Sequence, residues 1–300
     1  MNDINTEINR IKVEEIMSAP VYVIAPNDTI SHARNLMLKH DVSRLVVVEG
    51  VKQIGIITKS DIVWHIYQKE PMWKRRPIDH ILVQNAMSES LITIYPDASI
   101  KQAIELMLEN KISGLPVVEG ENELIGIITK KDIAQYLSSL LDLNTIKMNI
   151  TVEDIMDDFV VTVHRDHSIS HVIHEMEENK VDIVIVLESD GTPVGIITKN
   201  SLAFIEIEEE RKTIKMTRKA SHGGRKQYRY VKEVQLIVDE VMTTPLITIE
   251  SSELATKAAQ IMVLEGISAL PVLKNKELIG LITIDKIIEF LLKGDKDAGK

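Results

Sequence analysis

At two places the sequence carries a threonine followed three residues later by an aspartate, each time directly after an apolar stretch. These are Thr58 with Asp61 and Thr129 with Asp132. One interpretation is a helix cap, because threonine at the N-cap and an acid at the third helical position satisfy free backbone N–H groups. The other is a binding site, because a carboxylate accepts hydrogen bonds from both hydroxyls of a cis-diol such as ribose, and a helix N-terminus attracts phosphate. The residue pattern alone leaves both interpretations open.

The motif closes a line that the chain repeats four times. The copies read IGIITKSD at 54–61, IGIITKKD at 125–132, VGIITKNS at 194–201 and IGLITIDK at 279–286. In each copy the glycine lies 38 or 39 residues after a methionine; the methionines are Met17, Met87, Met156 and Met242. Copies 3 and 4 end in Ser201 and Lys286, so the carboxylate function is predicted for copies 1 and 2 only. Asp285 lies one residue early, a helical rotation of about 100°, and should point elsewhere.

Each copy has the pattern of a β-α-β-β-α unit. A short β run precedes a polar helix start, which in copy 1 is Pro26 to Thr29. Apolar residues then recur at helical spacing, in copy 2 as Ile100, Ala103, Ile104 and Met107. A buried strand, a polar turn, the Gly-Ile-Ile-Thr strand and a last helix complete the unit. Two antiparallel strands with helices on one face cannot cover their other face alone, so an α+β fold of paired units is expected.

These motifs resemble the cystathionine-β-synthase (CBS) domain, and four in series resemble the gamma regulatory subunits of AMP-activated protein kinase. The resemblance covers nearly the whole chain. It implies four tandem CBS domains paired into two Bateman modules, with copies 1 and 2 in the first and copies 3 and 4 in the second. The predicted domains span 10–68, 80–140, 149–207 and 235–293, with a basic insertion at 208–234.

The same resemblance implies a nucleotide site in the first module, where Asp61 and Asp132 would bind ribose. Arg44 matches the arginine of a His-Arg pair that holds phosphate in some gamma-subunit repeats, whereas Ser43 departs from the histidine. Further predicted contacts are the motif threonines and lysines and the walls around adenine, namely Thr58, Thr129, Lys59, Lys130, Val23, Thr93, Ile56 and Ile127. The alternatives are a solvent-facing surface for the basic residues and core packing for the walls.

The expected function is regulatory and not catalytic. The sequence contains no Gly-rich phosphate loop, nucleophile elbow or paired-histidine metal motif. The predicted ligands are AMP, ADP or ATP, with S-adenosylmethionine as an alternative and no catalytic cofactor. A ligand would brace the two domains of a module, and a protein partner of unknown identity would read that change. The sequence leaves a homodimer open.

One segment is charged oppositely to the rest of the chain. Residues 211–232 hold nine lysines or arginines and no acid, which leaves −19 for the remainder of a chain with net charge −10. Such asymmetry indicates an anionic partner. An alternative function is therefore that of a nucleic-acid-associated or scaffold protein. Ligand phosphates and the acidic stretch at 206–210 are the other candidate partners.

The composition, 44% apolar and 27% charged, is typical of a soluble globular protein. No apolar run approaches the roughly 18 residues of a membrane span, and the N-terminus lacks the apolar centre of a signal peptide, so a cytoplasmic protein without membrane contact is expected. Cysteine is absent, which excludes disulfides and thiol catalysis. His167, His171 and His174 share a helix face, but polar or charged residues dominate the equivalent positions, so a solvated face is predicted in preference to a metal site.

Overall fold

The computed structural model describes residues 8–66, 78–142, 150–203, 213–219, 225–231 and 236–293. It confirms four β-α-β-β-α units. Unit 1 consists of β1 (Val23–Ile24), α1 (Ile30–Lys39), β2 (Arg44–Glu49), β3 (Lys52–Thr58) and α2 (Lys59–Ile66). Unit 2 consists of α3 (Ile100–Glu109), β4 (Gly114–Glu119), β5 (Glu123–Thr129) and α4 (Lys130–Asp142), and a single parallel bridge from Ile94 to Val117 replaces its first strand.

The second half repeats this order around an inserted hairpin. Unit 3 consists of β6 (Thr162–His164), α5 (Ile169–Asn179), β7 (Ile183–Leu187), β8 (Pro193–Thr198) and α6 (Lys199–Leu202). The hairpin strands are β9 (Thr213–Lys219) and β10 (Arg225–Val231). Unit 4 consists of β11 (Ile249–Glu250), α7 (Ala255–Glu265), β12 (Ala269–Lys274), β13 (Glu277–Thr283) and α8 (Ile284–Lys293). Short 3-10 turns occur at Val13–Glu15, Ile78–His80, Val83–Asn85 and Val238–Glu240.

Each small sheet has one face on its own helices and one face toward the partner unit. In unit 1, β1 runs parallel to β2, which pairs antiparallel with β3. Leu45, Val47 and Ile57 lie in the core of the unit. Because successive strand residues point to opposite faces, Val46 and Ile56 lie on the other face. This second face, here called the inner face, is where the two units of a pair meet.

The first helix of unit 1 begins where the sequence predicts it. Thr29 caps α1 by accepting a hydrogen bond from the backbone N of His32 at 3.2 Å. The four predicted core positions of α3, Ile100, Ala103, Ile104 and Met107, are fully buried. Full burial of a side chain of the size of Ile or Met stabilises the fold by about 1.5–3 kcal/mol. In the described part of the chain, no helix is long and apolar enough to cross a membrane.

The segments before the repeated methionines are exchanged within each pair. Ile11 and Val13 pack into the core that contains unit 2, whereas Ile81 and Val83 pack into the core of unit 1. The second pair makes the same exchange. Val238, which precedes the methionine of unit 4, packs into the core of unit 3, and Val152, which precedes the methionine of unit 3, packs into the core that contains unit 4. The core of each unit therefore contains residues that precede the other unit of the pair in the sequence.

This exchange determines which glycine each repeated methionine contacts. Met87 packs on Gly55 of unit 1, where an added β-carbon would lie 2.9 Å from the methionine sulfur and 2.7 Å from the carbonyl oxygen of Ser88. Each methionine contacts the glycine of the partner copy, and the other three pairs are Met17 with Gly126, Met156 with Gly280 and Met242 with Gly195. The absence of a side chain at the glycine lets the two units approach closely.

Helices join the two pairs. In the described residues, α4 packs against α7 and α8, so unit 2 contacts unit 4, and α2 packs against α6, so unit 1 contacts unit 3. Val63 of α2 belongs to the unit 3 core, and Arg34 Nε donates to the carbonyl oxygen of Ala203 at 3.0 Å. The four units thus form a closed cycle within one chain.

The basic segment forms the antiparallel hairpin of β9 and β10. Its register places Lys215 opposite Arg229, and the pairs Arg218–Lys226 and Lys219–Arg225 follow toward the turn. An anionic partner for this hairpin, nucleic acid included, stays a prediction.

Candidate functional site

The inner face of the unit 1 sheet brings several predicted site residues together. Val23 pairs with Val46, and Val46 pairs with Ile56. Arg44 pairs with Thr58 two residues along, so both lie on the same face. Val23 is 43% exposed, whereas Val46 is fully buried. The apolar row and the arginine thus share a surface directed at unit 2.

Unit 2 presents the matching face with one important difference. Ile127 forms a bridge to Ser18, which comes from the segment exchanged from unit 1. Thr129 pairs with Gly114, at the position that Arg44 occupies in unit 1. The second inner face therefore has a glycine where the first has an arginine.

Thr93 precedes Ile94, which forms the parallel bridge to Val117. Thr93 lines an open groove together with Tyr95, Gln102 and Glu105 on the outer side of α3. The residues lining that groove do not include Asp132 or Arg44. Its role as an adenine wall stays a prediction.

Asp61 and Asp132 make the capping contacts that the motif predicts. Asp61 Oδ2 accepts hydrogen bonds from the backbone N and the hydroxyl of Thr58 at 2.8 and 2.7 Å. The Thr58 hydroxyl in turn accepts from the backbone N of Asp61 at 3.4 Å. Asp132 repeats the arrangement with Thr129 at 2.8 and 2.5 Å. The cap uses only Oδ2 of each carboxylate, so it does not compete with a bond at Oδ1.

The other oxygen of Asp132 joins the two units. Ser18 Oγ donates to Asp132 Oδ1 at 2.8 Å. Ser18 directly follows Met17 in the exchanged segment, and Ser88 is its equivalent opposite unit 1, where its backbone pairs with Ile56. A hydroxyl is therefore already hydrogen-bonded to this carboxylate, which shows that the oxygen is directed toward the contact between the units.

Arg44 reaches across to unit 2. Its Nη2 donates to Ser113 Oγ at 3.0 Å, and Nε and Nη2 donate to Ser43 Oγ at 3.3 and 3.2 Å. A β-carbon added to Gly114 would lie 2.9 Å from Arg44 Cζ, so the glycine makes room for the guanidinium. Burial lowers the pKa of Arg44 to about 10, and the charge of Asp132 opposes this effect. The guanidinium is still charged at neutral pH, and within the described residues its hydrogen-bond partners are neutral hydroxyls.

The two motif lysines have different surroundings. Burial lowers the pKa of Lys59, Asp41 raises it, and Lys131 of unit 2 lowers it further. Lys130 Nζ lies 2.8 Å from Asp285 Oδ2 in unit 4. Lys130 therefore serves the contact between the pairs, while Lys59 lies near the contact within the first pair. Asp285 is engaged in this ion pair.

The second pair has an internal ion pair at the equivalent place. Lys286 stands at the motif position of Asp132, and its Nζ lies 2.6 Å from Asp157 Oδ1. Asp157 directly follows Met156 and thus corresponds to Ser18. The hydroxyl–carboxylate contact of the first pair is replaced by a carboxylate–ammonium contact with the negative charge on the other partner.

Unit 3 also lacks the predicted binding groups. Ser201 Oγ donates to the carbonyl oxygen of Thr198 at 2.8 Å and accepts from its backbone N at 3.1 Å. Serine thus preserves a helix-start contact without a carboxylate. The positions equivalent to Arg44 in the second pair are Ile183 and Ala269. The second pair therefore offers neither the arginine nor the motif aspartate.

The histidines of unit 3 lie on a partly exposed helix face. His171 Nε2 lies 3.9 Å from Glu175 Oε1, and His174 Nε2 lies 3.6 Å from Glu178 Oε1, each four residues along α5. Across the residues described, no group of three or more His, Cys, Asp or Glu side chains is arranged to hold a metal ion.

Comparison with known families decides the classification. Residues 13–67, 83–139, 152–206 and 238–293 each match the model of the CBS domain. The chain belongs to the CBS-domain family. Its four units are CBS domains, and units 1 and 2 and units 3 and 4 form CBS pairs.

Two similar proteins come from Methanocaldococcus jannaschii. MJ1225 is 28% identical over 281 residues, which cover 90% of this chain and 95% of that protein. Its crystal structure, described as that of a proposed archaeal homologue of g-AMPK, matches 93% of this chain and 99% of that chain with a TM-score of 0.76 at 25% identity. MJ1404 is 26% identical over 292 residues, which cover 95% of this chain but only 63% of that protein. This chain thus spans less than two thirds of the length of MJ1404.

Sequence reasoning missed the residues that each CBS domain contributes to its partner. Ser18, Ser113 and Asp157 all contact side chains of the other domain of their pair. A signal for one of them is present in the repeats. The residue after the methionine changes from serine to aspartate in domain 3, and the last motif residue changes from aspartate to lysine in domain 4. The two changed residues can contact each other, as Asp157 and Lys286 do, only if the copies exchange segments.

Proposed function

We propose that the first CBS pair binds an adenine nucleotide and that the protein acts as a non-catalytic regulatory sensor. The observation that carries the proposal is Arg44, a half-buried guanidinium whose described hydrogen-bond partners are serine hydroxyls. A partly desolvated cation gains from an anionic ligand, and arginine forms forked hydrogen bonds with phosphate. The similarity to MJ1225, described as a proposed homologue of g-AMPK, supports a regulatory role of that type.

In this proposal the carboxylates bind ribose and the apolar rows enclose adenine. Oδ2 of each aspartate remains in the helix cap, and Oδ1 accepts a ribose hydroxyl, at Asp132 beside or in place of Ser18. The walls are the inner-face residues Val23, Ile56 and Ile127, with Thr93. S-adenosylmethionine is the less favoured ligand, because its sulfonium charge would be repelled by a nearby guanidinium.

The regulatory step follows from the location of the ligand between two domains. A ligand that contacts both domains stabilises the paired arrangement over any looser one by the difference in its affinity for the two. A protein partner that binds one arrangement better would then respond to nucleotide. The identity of that partner, and any homodimer, are left to experiment.

Calorimetric titration of the purified protein with AMP, ATP and S-adenosylmethionine tests the proposal. The informative variants are Asp61→Ser and Asp132→Ser, because Ser201 shows that serine at this position keeps a helix-start contact. Hydrogen bonds to a charged group are worth about 1.5–3 kcal/mol, so each variant should weaken its site by roughly tenfold or more. Asp285→Ser is the control, because its carboxylate lies in the contact between the pairs. Nucleotide affinity equal to that of the wild type in both variants would sink the ribose contact.

A further inference from the structure

The two domains of the first CBS pair differ at one equivalent position. Domain 1 begins its second strand with Ser43 and Arg44, and domain 2 begins the matching strand with Ser113 and Gly114. In both, this position pairs with the motif threonine of the next strand. The space that a side chain at Gly114 would need is filled by the guanidinium of Arg44. The pair therefore contains one strand-start arginine and has room for only one.

The charge of Arg44 is directed at the domain 2 side of the cleft. Its Nη2 donates to Ser113 Oγ of domain 2 at 3.0 Å. Of the two motif carboxylates, Asp132 is the one whose charge acts on the pKa of Arg44. An arginine carried by domain 1 thus supplies positive charge next to the carboxylate of domain 2.

The surroundings of Asp61 contain less positive charge. Burial lowers the pKa of the neighbouring His65 below its ordinary value, with Asp61 opposing the shift, so burial disfavours the charged imidazole here. Lys59 has Asp41 among its electrostatic neighbours, which offsets part of its charge. The position that would mirror Arg44 toward this cleft is Gly114. A phosphate at Asp61 would therefore lack the forked partner available at Asp132.

We infer that Arg44 makes the Asp132 cleft the phosphate-selective site of the first pair, whereas the Asp61 cleft binds the nucleoside part with little preference for phosphate. The inference rests on the proposed nucleotide function and assigns unequal ligands to two sites that the repeat makes look alike. A nucleoside monophosphate should occupy the Asp132 cleft first. A nucleoside without phosphate should bind both clefts with similar affinity.

Titration of the full chain with AMP and with adenosine tests the inference. In the wild type, AMP should bind one site at least about tenfold more tightly than adenosine does, because phosphate gains charged hydrogen bonds there. Asp132→Ser should remove this preference, and Asp61→Ser should leave it intact. Arg44→Gln should weaken AMP about tenfold or more while adenosine affinity stays within about twofold.

A double variant that moves the arginine from domain 1 to domain 2 controls for an effect of the single substitutions on folding. Arg44→Gly combined with Gly114→Arg restores one arginine to the pair from the opposite domain. The AMP preference should then depend on Asp61 and no longer on Asp132. Thermal melting of every variant shows whether the pair is still folded.

The results separate the inference from the function beneath it. Equal loss of AMP preference in Asp61→Ser and Asp132→Ser, or equal weakening of AMP and adenosine in Arg44→Gln, overturns the inequality of the clefts while nucleotide binding stands. If neither AMP nor adenosine binds the wild type, the proposed function itself fails. If adenosine binds but AMP has no advantage anywhere, Arg44 is a structural residue and the inference is wrong.

Discussion

Single glycines decide how closely the domains of a pair approach. At Gly55 an added β-carbon would lie 2.7 Å from a backbone oxygen, that of Ser88. At Gly126 the nearest atoms all belong to the side chain of Met17. A backbone atom held in a bridge between domains cannot move away easily, whereas a methionine side chain has several rotatable bonds. The two glycines should thus tolerate a methyl group differently.

Gly55→Ala should therefore destabilise the protein more than Gly126→Ala. Forcing an extra methyl group into a packed contact costs typically 1–3 kcal/mol, and we expect Gly55→Ala to lie in that range and Gly126→Ala below it. Equilibrium urea unfolding of both variants measures the difference. A larger loss in Gly126→Ala would contradict the close approach of the Ser88 backbone.

The site could be predicted from sequence where its contacts are local. The bonds between Thr58 and Asp61 span three residues, so the motif shows them directly. The bond from Arg44 to Ser113 spans 69 residues, and that from Ser18 to Asp132 spans 114. A spacing pattern carries no information on which domain receives a side chain. The sequence therefore identifies Arg44 as a candidate, but it does not show toward which domain the side chain points.

The exchanged segments are the elements that tie the domains of a pair together. In the second pair, Glu153 lies on such a segment and accepts hydrogen bonds from two residues of domain 4, Lys274 Nζ at 2.6 Å and Ser251 Oγ at 2.9 Å. The Lys274 bond is the main reason that the pKa of Glu153 is lowered, and the Ser251 bond adds to it. The segment is therefore held in place by a charge that acid removes.

The contacts of Glu153 with domain 4 should stabilise the fold less in acid. A carboxylate whose folded pKa is depressed stabilises the fold above its ordinary value, here 4.5, and this contribution disappears as pH falls through the folded value. Glu153→Gln should lower the melting temperature at pH 6, and the difference from the wild type should shrink toward pH 3. The matched control is Glu14→Gln at the equivalent position of domain 1, because Glu14 contacts Lys12 of its own segment. A difference that grows as pH falls would have the wrong sign.

The strands and helices themselves were predictable, because their periods of about 2 and 3.6 residues are local properties. The exchange of segments within a pair could not be predicted, although the repeated methionines and glycines that take part in it are visible in the sequence. The spacing from methionine to glycine is constant along the chain, but each contact is made to the partner copy. A methionine could contact the glycine of its own copy or that of the partner copy, and the repeated sequence fits both. Only the fold shows that the partner copy is contacted.

The whole molecule is not held together evenly. Domains 2 and 4 share one continuous apolar core, whereas domains 1 and 3 have separate cores. The shared core runs through α4 and α8, which pack against each other. Domains that share a core should lose stability together.

A substitution in domain 4 should therefore be felt in domain 2. Ile288 of α8 is 1% exposed and belongs to the shared core. Ile288→Ala should cost about 2–5 kcal/mol and lower amide-exchange protection in domains 2 and 4. Ile62→Ala, in the separate core of domain 1, should act mainly on domain 1. Loss of protection confined to domain 4 in Ile288→Ala would show that the core is not cooperative.

The segment exchange also sets an order of events during synthesis. The core of domain 1 needs Ile81 and Val83, which the ribosome adds only after all its strands and helices have been made. Ile11 and Val13 are made before any of these elements, yet their place is in domain 2. During that interval the segment with Ile11 and Val13 has no domain 2 core to pack into, and the core of domain 1 lacks Ile81 and Val83. Domain 3 waits for Val238 in the same way, so domains 1 and 3 should be more exposed to chaperones and proteases during translation than domains 2 and 4.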